Sequence, residues 1–461
     1  MRCSPVSSVP LLFSARRFHL EQAREGSCLK RIVFIFVSIF LIVSPFHAQE
    51  KVHQSAQLQL ASPESQGFTP DRLQRIDKVL QEYVNKGLIA GASAIVARNG
   101  SIVYYKAVGY DDIATKSPAK KDAIFRIASQ TKSVTSVAVM MLYEEGKFLL
   151  DDPISKYIPE FKDPKVIDKF NDADTTYTTV KAKREITIRD LLTHTSGIGY
   201  PDIGSKSMKA MYSKAKIISG IDADTSRLGP MMKKLGSLPL FHQPGERFTY
   251  GLSIDVLGYL VEVVSGMSLD EFFHKRLFKP LGMNDTYFFL PKNKQARLWT
   301  LSSEDSLKHL MDAKDKRSVV SDHNPDYPNS EGTYFSGGSG LCSTAYDYAI
   351  FLQMMLNGGR YNGARILSSN TVRMMTMNQI GDLSLYNGNA KFGLGFAVVT
   401  ELGGSKLPTP VGTFFWSGVF GSSYWVDPKE HIVAQLVLQQ YPSRRGDLAE
   451  KFKVLVYQAL R

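Results

Sequence analysis

The stretch GASAIVARNGSIVYYKAVG, residues 91–109, admits few structures. Two runs of small and β-branched residues flank Asn99-Gly100, a dipeptide that suits the positive-φ positions of a two-residue hairpin turn, so the sheet begins antiparallel. Strand-like text returns only near the other end. "FGLGFAVVTEL" (Phe392 to Leu402) reads as one strand, and "GSSYWVDPKEHIVAQLVLQQ" (Gly421 to Gln440) as a hairpin turning at Asp427-Pro428-Lys429-Glu430. From Asp152 to Asp322 helical patterns alternate with long polar loops. The clearest piece, Ser253 to Gly282, reads as two helices broken by Gly266 and stopped by Pro280. Strands at both ends and helices between them predict an α/β (α+β) chain. Its antiparallel sheet, flanked by helices, is built from residues 69–151 and 323–461, and 152–322 form an inserted, mostly helical domain.

Three helices frame that sheet in the sequence. The first has Thr69 as cap and Pro70 in its opening turn. Leu73, Ile76, Leu80, Tyr83 and Val84 share one face, and Gly87 is the stop. The second follows Ser129, with Val134, Val137, Ala138, Met141 and Leu142 at helical spacing, and closes near Gly146. The third runs from Leu448 to Leu460.

Upstream, Lys30-Arg31, the apolar run Ile32 to Val43 and the short Ser44 to Ala48 follow the order of a secretory signal. The run is short for a bilayer span, so residues 1–48 are expected to be a signal peptide, 49–68 a polar leader, and the protein periplasmic or secreted, with no stable membrane span after cleavage. Cys3 and Cys28 would leave with the signal and Cys342 would remain alone, which excludes an internal disulfide. Removing six basic and two acidic residues from a formal charge of +12 leaves about +8, spread along the chain. A dispersed surplus of that size describes a solvated basic surface and gives no support for nucleic-acid binding.

Ser129-Gln130-Thr131-Lys132 carries the sharpest chemical suggestion. Ser-x-x-Lys also occurs at Ser27/Lys30, Ser117/Lys120 and Ser213/Lys216, so the spacing alone proves nothing. The instance at Ser129 differs in context, because it directly precedes an amphipathic helix that follows a hairpin. There Lys132 lies about one turn beyond Ser129 on the same face, within reach of its hydroxyl. A serine hydroxyl needs an adjacent base to become an effective nucleophile, and lysine serves only when its neutral form is populated. The helix N-terminus adds partial positive charge that steadies an oxyanion. The alternative is a capping serine beside a solvated lysine.

Further segments decide between these. "PGERFTYGLSIDVLG" (Pro244 to Gly258) places Tyr250 in a loop before a helix, and "TFFWSGVFGSSYW" (Thr413 to Trp425) places Gly418 and Gly421 where backbone can approach a substrate. Together with "ITIRDLLTHTSGIGY" (Ile186 to Tyr200), "KPLGMNDTYF" (Lys279 to Phe288) and "GGSGLCSTAYDYAIFLQMML" (Gly337 to Leu356), they give the chain a resemblance to the serine beta-lactamase-like superfamily over residues 62–460. It is most similar there to the class C beta-lactamase-related esterases and peptidases. The resemblance implies a beta-lactamase-like fold and a serine hydrolase that works through an acyl-enzyme. Ser129 would be the acyl acceptor, Lys132 its partner, and Tyr250 the tyrosine that exchanges protons with the serine and leaving group. The N–H groups of Ser129 and Val419 would form the oxyanion hole.

Two departures qualify the resemblance. Leu252, followed by Ser253, stands where the family's tyrosine motif usually has Asn, and Trp416, in Trp416-Ser417-Gly418, stands where Lys or His usually begins the third motif. These five residues are the expected substrate-binding set. Apolar surface and one N–H donor suit a carboxylic ester or neutral acyl group better than a substrate with an essential carboxylate. A beta-lactamase, a D-amino-acid peptidase and a non-catalytic penicillin-recognising protein are the rival readings.

Other patterns carry less. No Gly-x-Ser-x-Gly elbow is present, since "GLSID" ends in Asp255. His194 is expected to be a structural, hydrogen-bonded turn residue. Histidine and cysteine spacing supports no metal site, and no cofactor is expected. "GGSG" at Gly337 to Gly340 lacks the Lys-Ser/Thr of a phosphate loop and reads as a tight turn. "FLQMML" reads as core.

Overall fold

The computed structural model describes residues 57–221 and 225–461, so the expected signal peptide lies outside the described residues. The nine strands of the main sheet are β1 (Gln59–Leu60), β2 (Gly91–Arg98), β3 (Ser101–Asp112), β4 (Ser117–Pro118), β5 (Ala390–Phe392), β6 (Ala397–Val399), β7 (Phe414–Ser417), β8 (Ser423–Asp427) and β9 (Ile432–Val437). Across the sheet the order is β1-β3-β2-β9-β8-β7-β6-β5, with β4 paired to β3. Every pairing is antiparallel except β1 with β3. The junction of β2 with β9, six residue pairs from Arg98↔Ile432 to Ser93↔Val437, joins the N-terminal hairpin to the C-terminal strands.

Asn99 (φ 52°) and Gly100 (φ 76°) adopt the positive φ that the β2–β3 turn demands. Alternation along the strands then divides the core in two. Ala92, Ala94 and Val96 on β2 and Ile432, Ala434 and Leu436 on β9 face one layer, formed by α1 (Arg75–Asn85) and α5 (Gly446–Tyr457). Ile95, Ala97, Val433 and Val437 face the larger core, which holds α2 (Thr131–Glu144), α3 (Ser253–Ser265) and α4 (Ala345–Leu356). In α2 every residue from Thr131 to Leu142 is buried, polar ones included. A helix buried on all sides runs through the core, and its polar residues must find partners there.

Several boundaries differ from the sequence reading. The first helical region is split into Pro70–Leu73 and Arg75–Asn85, and the Thr69 side chain makes no capping bond. The expected strand Phe392 to Leu402 becomes β5, a turn, β6 and a short helix at Glu401–Gly404. Pro280 does not stop its helix, because it occupies the opening turn of Lys279–Leu281, where its missing N–H is harmless. Gly282, at φ 76°, makes the stop. The middle of the chain also contains strand pairs the periodicity did not reveal, Lys165–Phe170 with Tyr177–Lys181 and Ser302–Glu304 with Leu310–Asp312.

Candidate active site

Ser129 lies in the single turn Ala128–Gln130 that leads into α2. The preceding Ala128 is held at φ 45°, a left-handed conformation costly for a residue with a Cβ, while its side chain packs against Leu301 and Phe420. Below Ser129, the Lys132 side chain is almost completely buried. Its Nζ donates to Ser129 Oγ at 3.3 Å, to the Tyr200 phenol oxygen at 3.0 Å and to the Gly338 carbonyl at 2.8 Å. The spacing that suggested a shared helical face is therefore realised as a contact, and all three ammonium protons have acceptors.

Tyr250 stands immediately before α3 with its ring over the Lys132 ammonium, 4.6 Å from Nζ to the ring centroid. Its phenol oxygen is buried without a hydrogen-bond partner among the described residues, and no hydrogen bond joins it to Ser129. Tyr200 supplies the phenol that touches Lys132, with burial and the neighbouring Tyr250 holding its pKa well above the ordinary tyrosine value. Tyr200 closes the segment Ile186 to Tyr200, whose order resembles the family, but no rule of spacing distinguishes it from a core tyrosine. Gly338 belongs to the GGSG turn, and only the tertiary structure brings its carbonyl to the lysine.

His194 occupies a turn, as expected, at φ 55°, and its carbonyl accepts from Thr249 N–H at 2.8 Å. Its side chain differs from the expectation, because both ring nitrogens are buried without partners among the described residues. The ring packs on Tyr250 (4.9 Å between centroids), Phe248 and Phe392. Burial, reinforced by the Lys132 ammonium, pushes its pKa well below the usual histidine range, so the ring is a neutral support beneath Tyr250.

Opposite α2, β7 ends at Trp416-Ser417, followed by Gly418 and Val419. A Cβ on Gly418 would lie 2.5 Å from the Ile127 carbonyl oxygen, so only glycine lets this turn come so close to the chain before Ser129. Val419 N–H donates to no protein acceptor among the described residues. Trp416, Ser417, Gly418 and Val419 line a cleft of about 530 Å³ with Ser129, Tyr200, Ile203, Phe248, Tyr250, Leu385 and Tyr386. Among its described lining residues there is no lysine, arginine or histidine, and one carboxylate, Asp202. A second chamber of about 650 Å³ adjoins it, sharing Asp202, Ser219, Ile221 and Tyr441.

Leu252 and Ser253 do not line this cleft, which corrects their expected place in the substrate-binding set. Both are fully buried, and Ser253 Oγ is bonded to Ser196 Oγ at 2.9 Å as α3 begins. Sequence adjacency to Tyr250 misled here, because entry into a helix turns successive side chains about 100° apart. No group of three or more His, Cys, Asp or Glu able to hold a metal occurs among the described residues. No described helix is long and apolar enough to cross a membrane.

Known proteins share this arrangement of the chain. Esterase EstB of Burkholderia gladioli is 29% identical over 391 residues, covering 83% of this chain and 94% of the esterase. A putative D-alanyl-D-alanine carboxypeptidase of Escherichia coli K12 is 30% identical over 396 residues, covering 81% and 83%. Among solved structures, EstCE1, described as a hydrolase with promiscuous acyltransferase activity, superposes with a TM-score of 0.70 at 26% identity, over 84% of this chain and 99% of its own. The beta-lactamase family model matches residues 76–458, and on that extent the chain belongs to the beta-lactamase family of serine hydrolases.

Proposed function

We propose that the protein is an exported ester hydrolase whose nucleophile is Ser129. The observation that carries this reading is a buried lysine in contact with a partly exposed serine hydroxyl, on the floor of a cleft whose described walls are mainly aromatic and aliphatic, with serines and Asp202, and hold no cation. As Ser129 Oγ attacks an ester carbonyl, Lys132 in its neutral form takes the hydroxyl proton. The carbonyl oxygen, now negative, is accepted by the N–H groups of Ser129 and Val419, the latter without a protein acceptor among the described residues. Tyr250, its phenol oxygen free, delivers a proton to the departing alkoxide, and water then releases the acyl group by the reverse proton path.

Trp416, Tyr386 and Phe248 offer apolar area to one half of the ester, and the adjoining chamber receives the other. Each volume lies in the range of small-molecule sites. Esterase and peptidase relatives support hydrolysis in general. The wall favours the ester, because a substrate carboxylate would find no cation there and would face Asp202. Export rests on the order of Lys30-Arg31, the apolar run 32–43 and the short segment to Ala48.

Intact-protein mass spectrometry after a fluorophosphonate and, separately, a penicillin tests the reading. One fluorophosphonate adduct is expected, at Ser129, with slow or no penicillin adduct. Rapid penicillin acylation with no ester turnover would reject the esterase.

A further inference from the structure

Lys132 is buried with no carboxylate in contact among the described residues, a costly state for an ammonium. One peptide step behind its strongest acceptor lies another charge-bearing group, Asp255, on the first turn of α3 and fully buried. Asp255 Oδ1 accepts from Ser336 Oγ at 2.6 Å and from Gly338 N–H at 3.2 Å, while Oδ2 has no partner among the described residues. Gly338 is thus gripped on both sides, its N–H by Asp255 and its carbonyl by Lys132. The fit depends on glycine, since a Cβ at 338 would lie 2.3 Å from Asp255 Oδ2.

We infer that Asp255 is a positioning residue for Lys132: it fixes the Gly338 carbonyl that holds the ammonium, and its carboxylate supplies the counter-charge across that backbone. This rests on Lys132 being the base for Ser129. The remaining titratable groups around the pair are Tyr200, Tyr250, Tyr334, His194 and Asp202, each interacting with Lys132, Asp255 or Tyr200. None of them supplies a second buried carboxylate. Burial dominates and holds the Asp255 carboxyl above the usual carboxylate range, while Lys132, Ser336 and Gly338 N–H pull it part of the way back.

The experiment is the pH dependence of kcat and KM for a p-nitrophenyl ester in Asp255→Asn, which keeps size and an acceptor oxygen but removes the charge. Loss of the charge should move the acid limb of kcat/KM to lower pH by about one unit, the low end for removing a nearby opposite charge. Looser placement of Lys132 should lower kcat by about 10-fold or more with KM changed by less than about 2-fold, the pattern of a transition-state loss. A purely structural role would lower the melting temperature and leave the limb in place, and that result overturns the inference. Should Asp255→Asn not fold, Ser336→Ala, which removes one hydrogen bond to the same carboxylate, is expected to move the limb in the same direction by less, and an unmoved limb overturns the inference equally. Fluorophosphonate labelling of the wild type separates the two levels. A wild type labelled at Ser129 with an unaltered D255N profile refutes only the role of Asp255, whereas a wild type unlabelled at Ser129 refutes the serine–lysine reading beneath it.

Discussion

The floor and the wall of the cleft are built by opposite rules. On the floor, Lys132, Gly338, Asp255 and Ser336 are joined by hydrogen bonds inside the protein, and Tyr200 accepts from the same ammonium. The wall of Trp416, Tyr386, Phe248 and Ile203 offers area and little polarity. Chemistry that moves protons needs groups held to a fraction of an ångström, and a buried polar network supplies that rigidity. Selection among substrates needs a surface that rewards one shape and leaves others unpaired, which aromatic side chains provide at low entropic cost.

The most severe break removes the proposed nucleophile. Ser129→Ala should abolish fluorophosphonate labelling and turnover with the melting curve unchanged, because the hydroxyl is partly exposed and its only described side-chain bond is to Lys132. Labelling that persists on another serine would move the centre; Ser253, fully buried against Ser196, is a poor candidate.

Next come the proposed proton carriers. Lys132→Ala and Tyr250→Phe should each reduce kcat by about 10²-fold or more, with the double variant losing less than the product of the two if they act together. Tyr200→Phe leaves one Lys132 N–H without its acceptor, worth about 1 to 3 kcal/mol, or roughly 5- to 150-fold. A Tyr200→Phe loss larger than that of Tyr250→Phe would transfer the proton-donor role to Tyr200.

The wall is probed by substrate choice. Short p-nitrophenyl esters should exceed a chromogenic cephalosporin by about 10²-fold in kcat/KM, two unpaired polar groups costing roughly tenfold each. Trp416→Lys puts a cation into the wall and should narrow that ratio by about tenfold, chiefly through KM for the cephalosporin. A cephalosporin rate equal to the ester rate in the wild type would reject the distinction between floor and wall.

The smallest effect on rate is expected at His194, between the two regions. His194→Ala removes a ring that packs on Tyr250 and Phe392 without hydrogen bonds, so it should cost about 2 kcal/mol of stability and less than about tenfold in rate on the folded fraction. Thermal unfolding and single-turnover rates on the same sample check it, and a selective fall in rate would place the imidazole in the reaction.

Patterns of short range were legible in the residues. Asn99-Gly100 specified its hairpin because a dipeptide alone sets the backbone angles, and strand alternation in β2 and β9 sorted their side chains onto two faces because the period is local. The pairing of Ser129 with Lys132 was equally local, one helical turn apart. The resemblance carried Tyr250 and Trp416 to the same site from more than a hundred residues away. Tertiary structure alone decided what surrounds them. It placed the hydroxyl of Tyr200 rather than that of Tyr250 against the ammonium, turned Leu252 and Ser253 into the core, left the His194 ring nitrogens without partners among the described residues, and set Asp255 behind Gly338. These contacts join segments between 57 residues apart, for Ser196 and Ser253, and 206 apart, for Lys132 and Gly338. No periodicity encodes them, because burial of a polar group is decided by whichever distant segment arrives with the matching donor or acceptor.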